Sequence, residues 1–278
     1  MGNSVLQSGT SLGAFVTPLL LSVMLTPERG SWRIGFQVIG AIGLLWIVGW
    51  FSFVKANDLV CRRATTNSAM HQNSLPWWQQ ILSRRMLVLL VVLTMINVSW
   101  QILRAWLPLI LDQEHGYTEL FTLRFTSVWY LVTDVGCISS GALSLYLFSR
   151  GWSIKYSRTI TLAICAAMLS CLALVPMLSS GPLLLGVFLI AGAGGLGMFP
   201  IYYSFSQDIS QEHQGKVTGI TGVIAWGLSS PTQSFFGYLA DVTKSYNTGM
   251  VIVGTLPLLA LLTLWIAWPN DSQKSENP

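Results

Sequence analysis

Eight long apolar runs leave this chain few ways to fold. They lie near residues 3–25, 33–54, 86–111, 121–148, 158–178, 182–204, 217–239 and 248–268. Crossing the hydrocarbon of a bilayer takes a helix of roughly 20 mostly apolar residues, and each run has about that length. No water reaches a backbone inside hydrocarbon, so every N–H and C=O must bond within its own segment, which makes each run a helix. The polar/apolar dyads of a membrane β-barrel are absent from the sequence. Only 9% of the 278 residues are charged, 52% are hydrophobic, and the mean hydropathy is +0.58. A soluble domain of this length does not carry that balance. The sequence predicts an all-α polytopic membrane protein with eight transmembrane helices, a two-helix part followed by a six-helix part.

The charges that remain report orientation. Lys and Arg total 15 against 11 Asp and Glu, a net charge of +4. With the N-terminus on the cytoplasmic side, one set of alternate loops holds Lys55, Arg62, Arg63, Arg84, Arg85, Arg150, Lys155, Arg158, Lys216 and Lys274. The other set holds Arg29, Arg33, Arg124 and Lys244. Cytoplasmic loops are the Lys/Arg-rich ones, so both termini are expected in the cytoplasm and the protein in a plasma (inner) membrane. The basic balance reports topology, not nucleic-acid binding. His71, His115 and His213 are scattered in loops, and Cys61, Cys137, Cys165 and Cys171 have no ligand spacing, so no metal, cofactor or disulfide is expected. The start lacks a basic n-region and carries no Ser or Thr at position six, which speaks against a cleaved signal and against myristoylation.

The longest polar interruption runs from Lys55 to Arg85 and reads as a cytoplasmic linker ending in the interfacial pair Trp77-Trp78. It separates residues 1–54, two helices, from residues 86–268, six helices, with 269–278 as a cytoplasmic tail. Such a division is what a six-plus-six protein leaves when its first four helices are missing. Gly192, Gly194, Gly195 and Gly197 crowd one helix; Gly215, Gly219 and Gly222 line another; Gly40 and Gly43 mark a third. Small residues let helices approach closely in lipid, whether for static packing or for sliding.

Few polar groups lie at membrane depth, so each is informative. Arg104 sits inside Asn97-Val-Ser-Trp-Gln-Ile-Leu-Arg104. A central Arg costs roughly 2.5–3.5 kcal/mol to insert, so it faces a protein interior or wet cavity unless it snorkels out. Its planar fork suits a carboxylate. Asp134 is an acid within a helix, suited either to pair with Arg104 or to bind a proton. Tyr130, Tyr202 and Tyr203 can line a hydrophilic cavity, with Pro200 positioned to open backbone carbonyls. Trp226, Ser230 and Gln233 share one helical face. No hydrolase, kinase or dinucleotide motif appears, and Gly192-Ala-Gly-Gly-Leu-Gly197 is no phosphate loop because it lies within an apolar helix.

Three stretches carry a family likeness. Gln7-Ser-Gly-Thr-Ser-Leu-Gly-Ala14 with Pro18, Gly30-Ser-Trp-Arg-Ile-Gly-Phe36 with Gly40, Gly43 and Trp46, and Trp106-Leu-Pro108 followed by Ser149-Arg-Gly-Trp-Ser153 resemble the fifth, sixth, and seventh-to-eighth helices of the major facilitator superfamily. The likeness is to its anion:cation symporters, the hexuronate and galactonate transporter group, over helices five to twelve. It implies alternating access, a small organic anion such as a sugar acid as substrate, and a proton or sodium as coupling ion. Arg104 is then the anion anchor, Tyr130, Tyr202, Tyr203, Trp226 and Gln233 line the cavity, and Asp134 couples the ion. The group's charged Gly-x-x-x-Asp-Arg pattern reads Gly141-Ala-Leu-Ser-Leu145-Tyr146 here, and Trp226 stands where an Asn is common. A monomeric, truncated, non-enzymatic symporter is the reading; the alternatives are an inactive transporter fragment or a non-transporting membrane receptor.

Overall fold

The computed structural model describes residues 2–24, 32–55, 83–209 and 214–267. All regular structure among them is helical. The long helices are α1 (Gly2–Met24), α2 (Trp32–Phe53), α3 (Arg84–Leu109), α4 (Glu119–Ser149), α5 (Ile154–Ser170), α6 (Pro182–Ile209), α7 (Gln214–Thr243) and α8 (Asn247–Ala267). Their positions follow the eight apolar runs. Among the described residues, six segments are long and apolar enough to cross a membrane: 33–53, 84–114, 119–149, 154–177, 182–207 and 247–267. Residues 56–82 of the expected linker, with Cys61 and His71, and also His213 and the tail, lie outside the described residues.

Local chemistry sets several boundaries. Ser83, Thr118 and Ser153 each accept a hydrogen bond from a backbone N–H three residues on, capping α3, α4 and α5. Between α4 and α5, Gly151 takes φ +88°, a left-handed turn that suits glycine, and Ser153 then starts the next helix. That is the structural content of the Ser149–Ser153 stretch. Two ends change pitch. α3 continues as a π-helical stretch, Ile110–Glu114, just after Pro108, and α5 tightens into a 3-10 stretch, Cys171–Met177, containing Pro176. Arg104 is therefore ten residues from the helical end at Glu114, roughly 15 Å at about 1.5 Å per residue. The sequence alone placed that end near Leu111, so the route for snorkelling is longer than expected.

The chain packs as two compact units, residues 1–15 with 77–278, and residues 16–76. In the larger unit α3 and α6 are central: 72% and 78% of their spanning windows are buried. α4 and α5 pack on α6, while α7 and α8 pack on α3. Apolar side chains also cover the outside, among them Leu131, Val135, Leu145, Leu258 and Trp265. In a soluble protein such a surface would be a liability; against acyl chains it is matched. In the smaller unit α2 exposes Leu45, Trp46, Phe51 and Phe53.

Glycines decide how closely α6 is held. A Cβ on Gly136 of α4 would strike the Ala193 backbone, one on Gly192 would strike the Trp129 indole, and one on Gly194 would meet Cys165 O at 2.5 Å. Fully buried Trp129 fills the notch that Gly192 leaves and donates from Nε1 to Phe188 O at 2.8 Å. Gly192, Gly194, Gly195 and Gly197 of α6 are thus contact points. Gly215, Gly219, Gly222 and Gly227 of α7 meet nothing within 4 Å, and neither do Gly40 and Gly43.

Candidate functional site

α3 supplies one face of a cavity of about 250 Å³. Asn97, Gln101 and Arg104 stand four and three residues apart, the spacing that stacks side chains along one helical stripe, with Trp100 beside them. α4 contributes Tyr130; α6 contributes Leu196, Phe199 and Tyr203; α7 contributes Trp226. The first turns of α1 close one side with Gln7, Thr10 and Ala14, again spaced three and four. They are held there by Gln207 Nε2 donating to Asn3 Oδ1 at 3.2 Å and by the Cys137 thiol against Ser4 O at 3.7 Å.

Arg104 is the one formally charged residue among the described lining residues, and its side chain is exposed to this space. Among the described residues none bonds its guanidinium, although Tyr130 lies within its electrostatic reach. Gln101 is only 6% exposed, and its amide likewise has no hydrogen-bond partner among the described residues. Asn97 differs. It donates to Ser229 Oγ at 2.6 Å and to Ala225 O at 3.3 Å, so its donors are spent on holding α7 to α3. Two prolines sit at the same depth. Pro108 and Pro200 lack an N–H, so the carbonyls of Arg104 and Leu196, four residues earlier, lose their usual helical donor.

Four of the residues expected at a site converge on this cavity: Arg104, Tyr130, Tyr203 and Trp226. Tyr202 does not; it is 3% exposed and donates to Thr221 Oγ1 of α7 at 3.0 Å. Gln233 does not line it either; its Oε1 accepts from Trp106 Nε1 at 2.7 Å. Asp134 is buried one helical turn from Tyr130, beside Cys137, and is not among the described residues that line the cavity. Gln101, Asn97, Trp100 and the α1 residues went unassigned from sequence. Their signal was the spacing relative to Arg104, which places Asn97 and Gln101 seven and three residues before it.

At one end of the bundle the turns meet. Glu114 Oε1 accepts from Ser245 Oγ at 2.6 Å and Oε2 from the Tyr246 backbone N–H at 3.1 Å; Tyr246 O–H donates to Gln113 Oε1 at 2.6 Å. This clasp joins the end of α3 to the α7–α8 corner. Ser180 Oγ donates to His115 O at 3.1 Å, bringing in the turn before α6. Burial pushes the His115 imidazole below its usual pKa, with Glu114 pulling the other way.

Comparison with known proteins agrees with this picture. A family model described as Major Facilitator Superfamily matches residues 1–232. The hexuronate transporter of Escherichia coli (strain K12) is 23% identical over 280 residues, covering 94% of this chain and 63% of that protein. The D-galactonate transporter of Escherichia coli O6:H1 is 26% identical over 282 residues, 92% of this chain and 64% of that protein. The probable sulfoacetate transporter SauU of Cupriavidus necator is 26% identical over 272 residues, 91% and 61% respectively. The chain spans less than two thirds of the length of these curated relatives.

Proposed function

The chain belongs to the Major Facilitator Superfamily, and from that premise we propose that it is part of a secondary carrier, not an enzyme, moving a small organic anion by alternating access. It is a multi-pass integral membrane protein. The relatives named above carry organic anions, and the cavity supports the same class here. The observation that carries the reading is Arg104: a guanidinium at membrane depth, unbonded among the described residues, at the wall of a 250 Å³ cavity. A fixed cation with no counter-charge among the described lining residues favours an anion, and its planar fork suits a carboxylate.

Arg104 anchors the anion, and Tyr130, Tyr203 and Trp226 form the surrounding wall. Tyr202 and Gln233 act from behind it, fixing α6 to α7 and α7 to α3. Asp134 is the coupling site, a buried carboxyl able to take a proton; sodium is the other candidate ion. Eight crossings with both termini in the cytoplasm of a plasma membrane, in a monomer, complete the proposal.

The test is uptake by the complete carrier. Arg104→Gln should abolish it with membrane abundance unchanged, and unchanged uptake would remove the anchor. Asp134→Asn should leave anion binding intact while uptake ceases to respond to an imposed proton gradient.

A further inference from the structure

The corner where α4 turns into α5 holds another cavity, of about 210 Å³, which shares no lining residue with the first. α4 gives it Ser144, Leu145 and Phe148; the first turns of α5 give Ile154, Ser157 and Arg158. Both segments are apolar enough to cross a membrane, and these residues are the end of one and the start of the other. Ser144 is five residues from the end of α4 at Ser149, roughly 7.5 Å at about 1.5 Å per residue, so the cavity lies near the level of lipid headgroups. Exposed Trp152, in the turn between the helices, suits the same level.

Positive charge gathers at this corner. Arg150, Lys155 and Arg158 follow one another closely, and from Val135 to Gln207 the sequence holds no Asp or Glu. Arg158 is positioned: its Nη1 donates to Ser204 O of α6 at 3.3 Å, and its guanidinium lies 5.7 Å from the centre of the Phe205 ring. Ser157 is an independent sign. It is 1% exposed, yet its Oγ has no hydrogen-bond partner among the described residues. Thr161, one turn further on, spends its hydroxyl on Ser157 O. A buried hydroxyl without a partner is costly, and this one belongs to a residue lining a cavity beside a cation. Leu145, Phe148 and Ile154 are exposed and give the cavity an apolar lip.

The geometry points to a binding site for an anionic phospholipid, its phosphodiester held by Arg158 and Ser157 Oγ and its acyl chains lying along Leu145, Phe148 and Ile154. Lys155 and the first N–H groups of α5 add to the positive field. Basic recesses between membrane helices suit such headgroups, and a hydrogen bond to a charged oxygen is a strong one. A free phosphate shares the anion chemistry but gains nothing from the apolar lip; a zwitterionic lipid has the chains without the net charge. The site stands apart from Arg104 and does not depend on what the carrier moves.

Fluorescent phosphatidylglycerol and phosphatidylcholine with the same acyl chains, titrated onto the purified chain in neutral detergent, provide the test. Phosphatidylglycerol is expected to bind at least about tenfold more tightly. Arg158→Gln and Ser157→Ala should each weaken it about fivefold, while Arg124→Gln, at the opposite end of α4, leaves it unchanged. Equal binding of the two lipids, or a preference that survives either substitution in the folded protein, would overturn the site. Ser157→Ala removes no side-chain bond among the described residues, so it reads the site even where Arg158→Gln, which disturbs the contact with Ser204, fails to fold. Displacement of the labelled lipid by millimolar inorganic phosphate would assign the site to a soluble anion and overturn the lipid.

Discussion

One methyl group separates the two kinds of glycine in this chain. At Gly136 it would land on the Ala193 backbone, which has no rotamer to escape through. Overpacking of this sort costs about 1–3 kcal/mol, so Gly136→Ala should lower the thermal midpoint in detergent. At Gly219 the same methyl meets open space, and Gly219→Ala should raise the midpoint, since alanine is favoured in a helix by up to about 1 kcal/mol. Equal shifts for both would refute the distinction. The sequence displays the number of glycines but not what faces them, so packing and sliding were indistinguishable there. The site was legible to a similar depth. Arg104 stood out because a cation at membrane depth is costly. Adjacent Tyr202 and Tyr203 could not be separated by composition, yet neighbours on a helix point about 100° apart, so one reaches α7 and the other the cavity. Gln233 shares a face with Trp226, but Trp106 claims its amide oxygen.

Helix α3 is tied down along its length. Asn97 bonds α7, Ser99 Oγ reaches Val253 O of α8 at 2.9 Å, Trp106 bonds Gln233, and Glu114 clasps the α7–α8 corner. Truncation at Asn97→Ala removes the donor shared by Ser229 Oγ and Ala225 O, which keep their own bond to each other, a loss of about 0.5–1.5 kcal/mol readable as a lower unfolding midpoint. Glu114→Ala removes the acceptor of both the Ser245 hydroxyl and the Tyr246 N–H, so exchange at the Tyr246 and Asn247 amides should accelerate while amides in α6 stay protected. His115 gives the same corner a pH dependence. Its folded pKa lies below the ordinary 6.5, so above that value the neutral ring is common to folded and unfolded chains. As pH falls below 6.5 the unfolded chain takes the proton first, and stability declines. Replacing His115 with Asn should flatten the midpoint between pH 7.5 and 5. At this scale the sequence located the long helices of the described residues, six of which are long and apolar enough to cross a membrane, because hydrocarbon thickness fixes the length of such segments. It could not show the π stretch after Pro108 or the 3-10 stretch around Pro176, because both depend on what each helix end meets. The clasp was equally hidden, since nothing in a polar turn announces its partner.

In the larger unit, the buried helices α3 and α6 are packed by α4, α5, α7 and α8, whose outer faces carry exposed apolar side chains. Carbonate washing should leave the protein in the membrane. Single cysteines placed at Lys155 and at Ser245 should label from opposite sides, the first from the cytoplasm. α3 is also the one helix that carries both the anion anchor at mid-depth and, roughly 15 Å further along, the carboxylate that grips the neighbouring corner. Tension applied to the mid-depth guanidinium by an arriving guest would travel down a stiff rod to its pinned far tip. A dye attached beside Tyr246 would then brighten or dim on loading, signalling from the surface what has happened deep within.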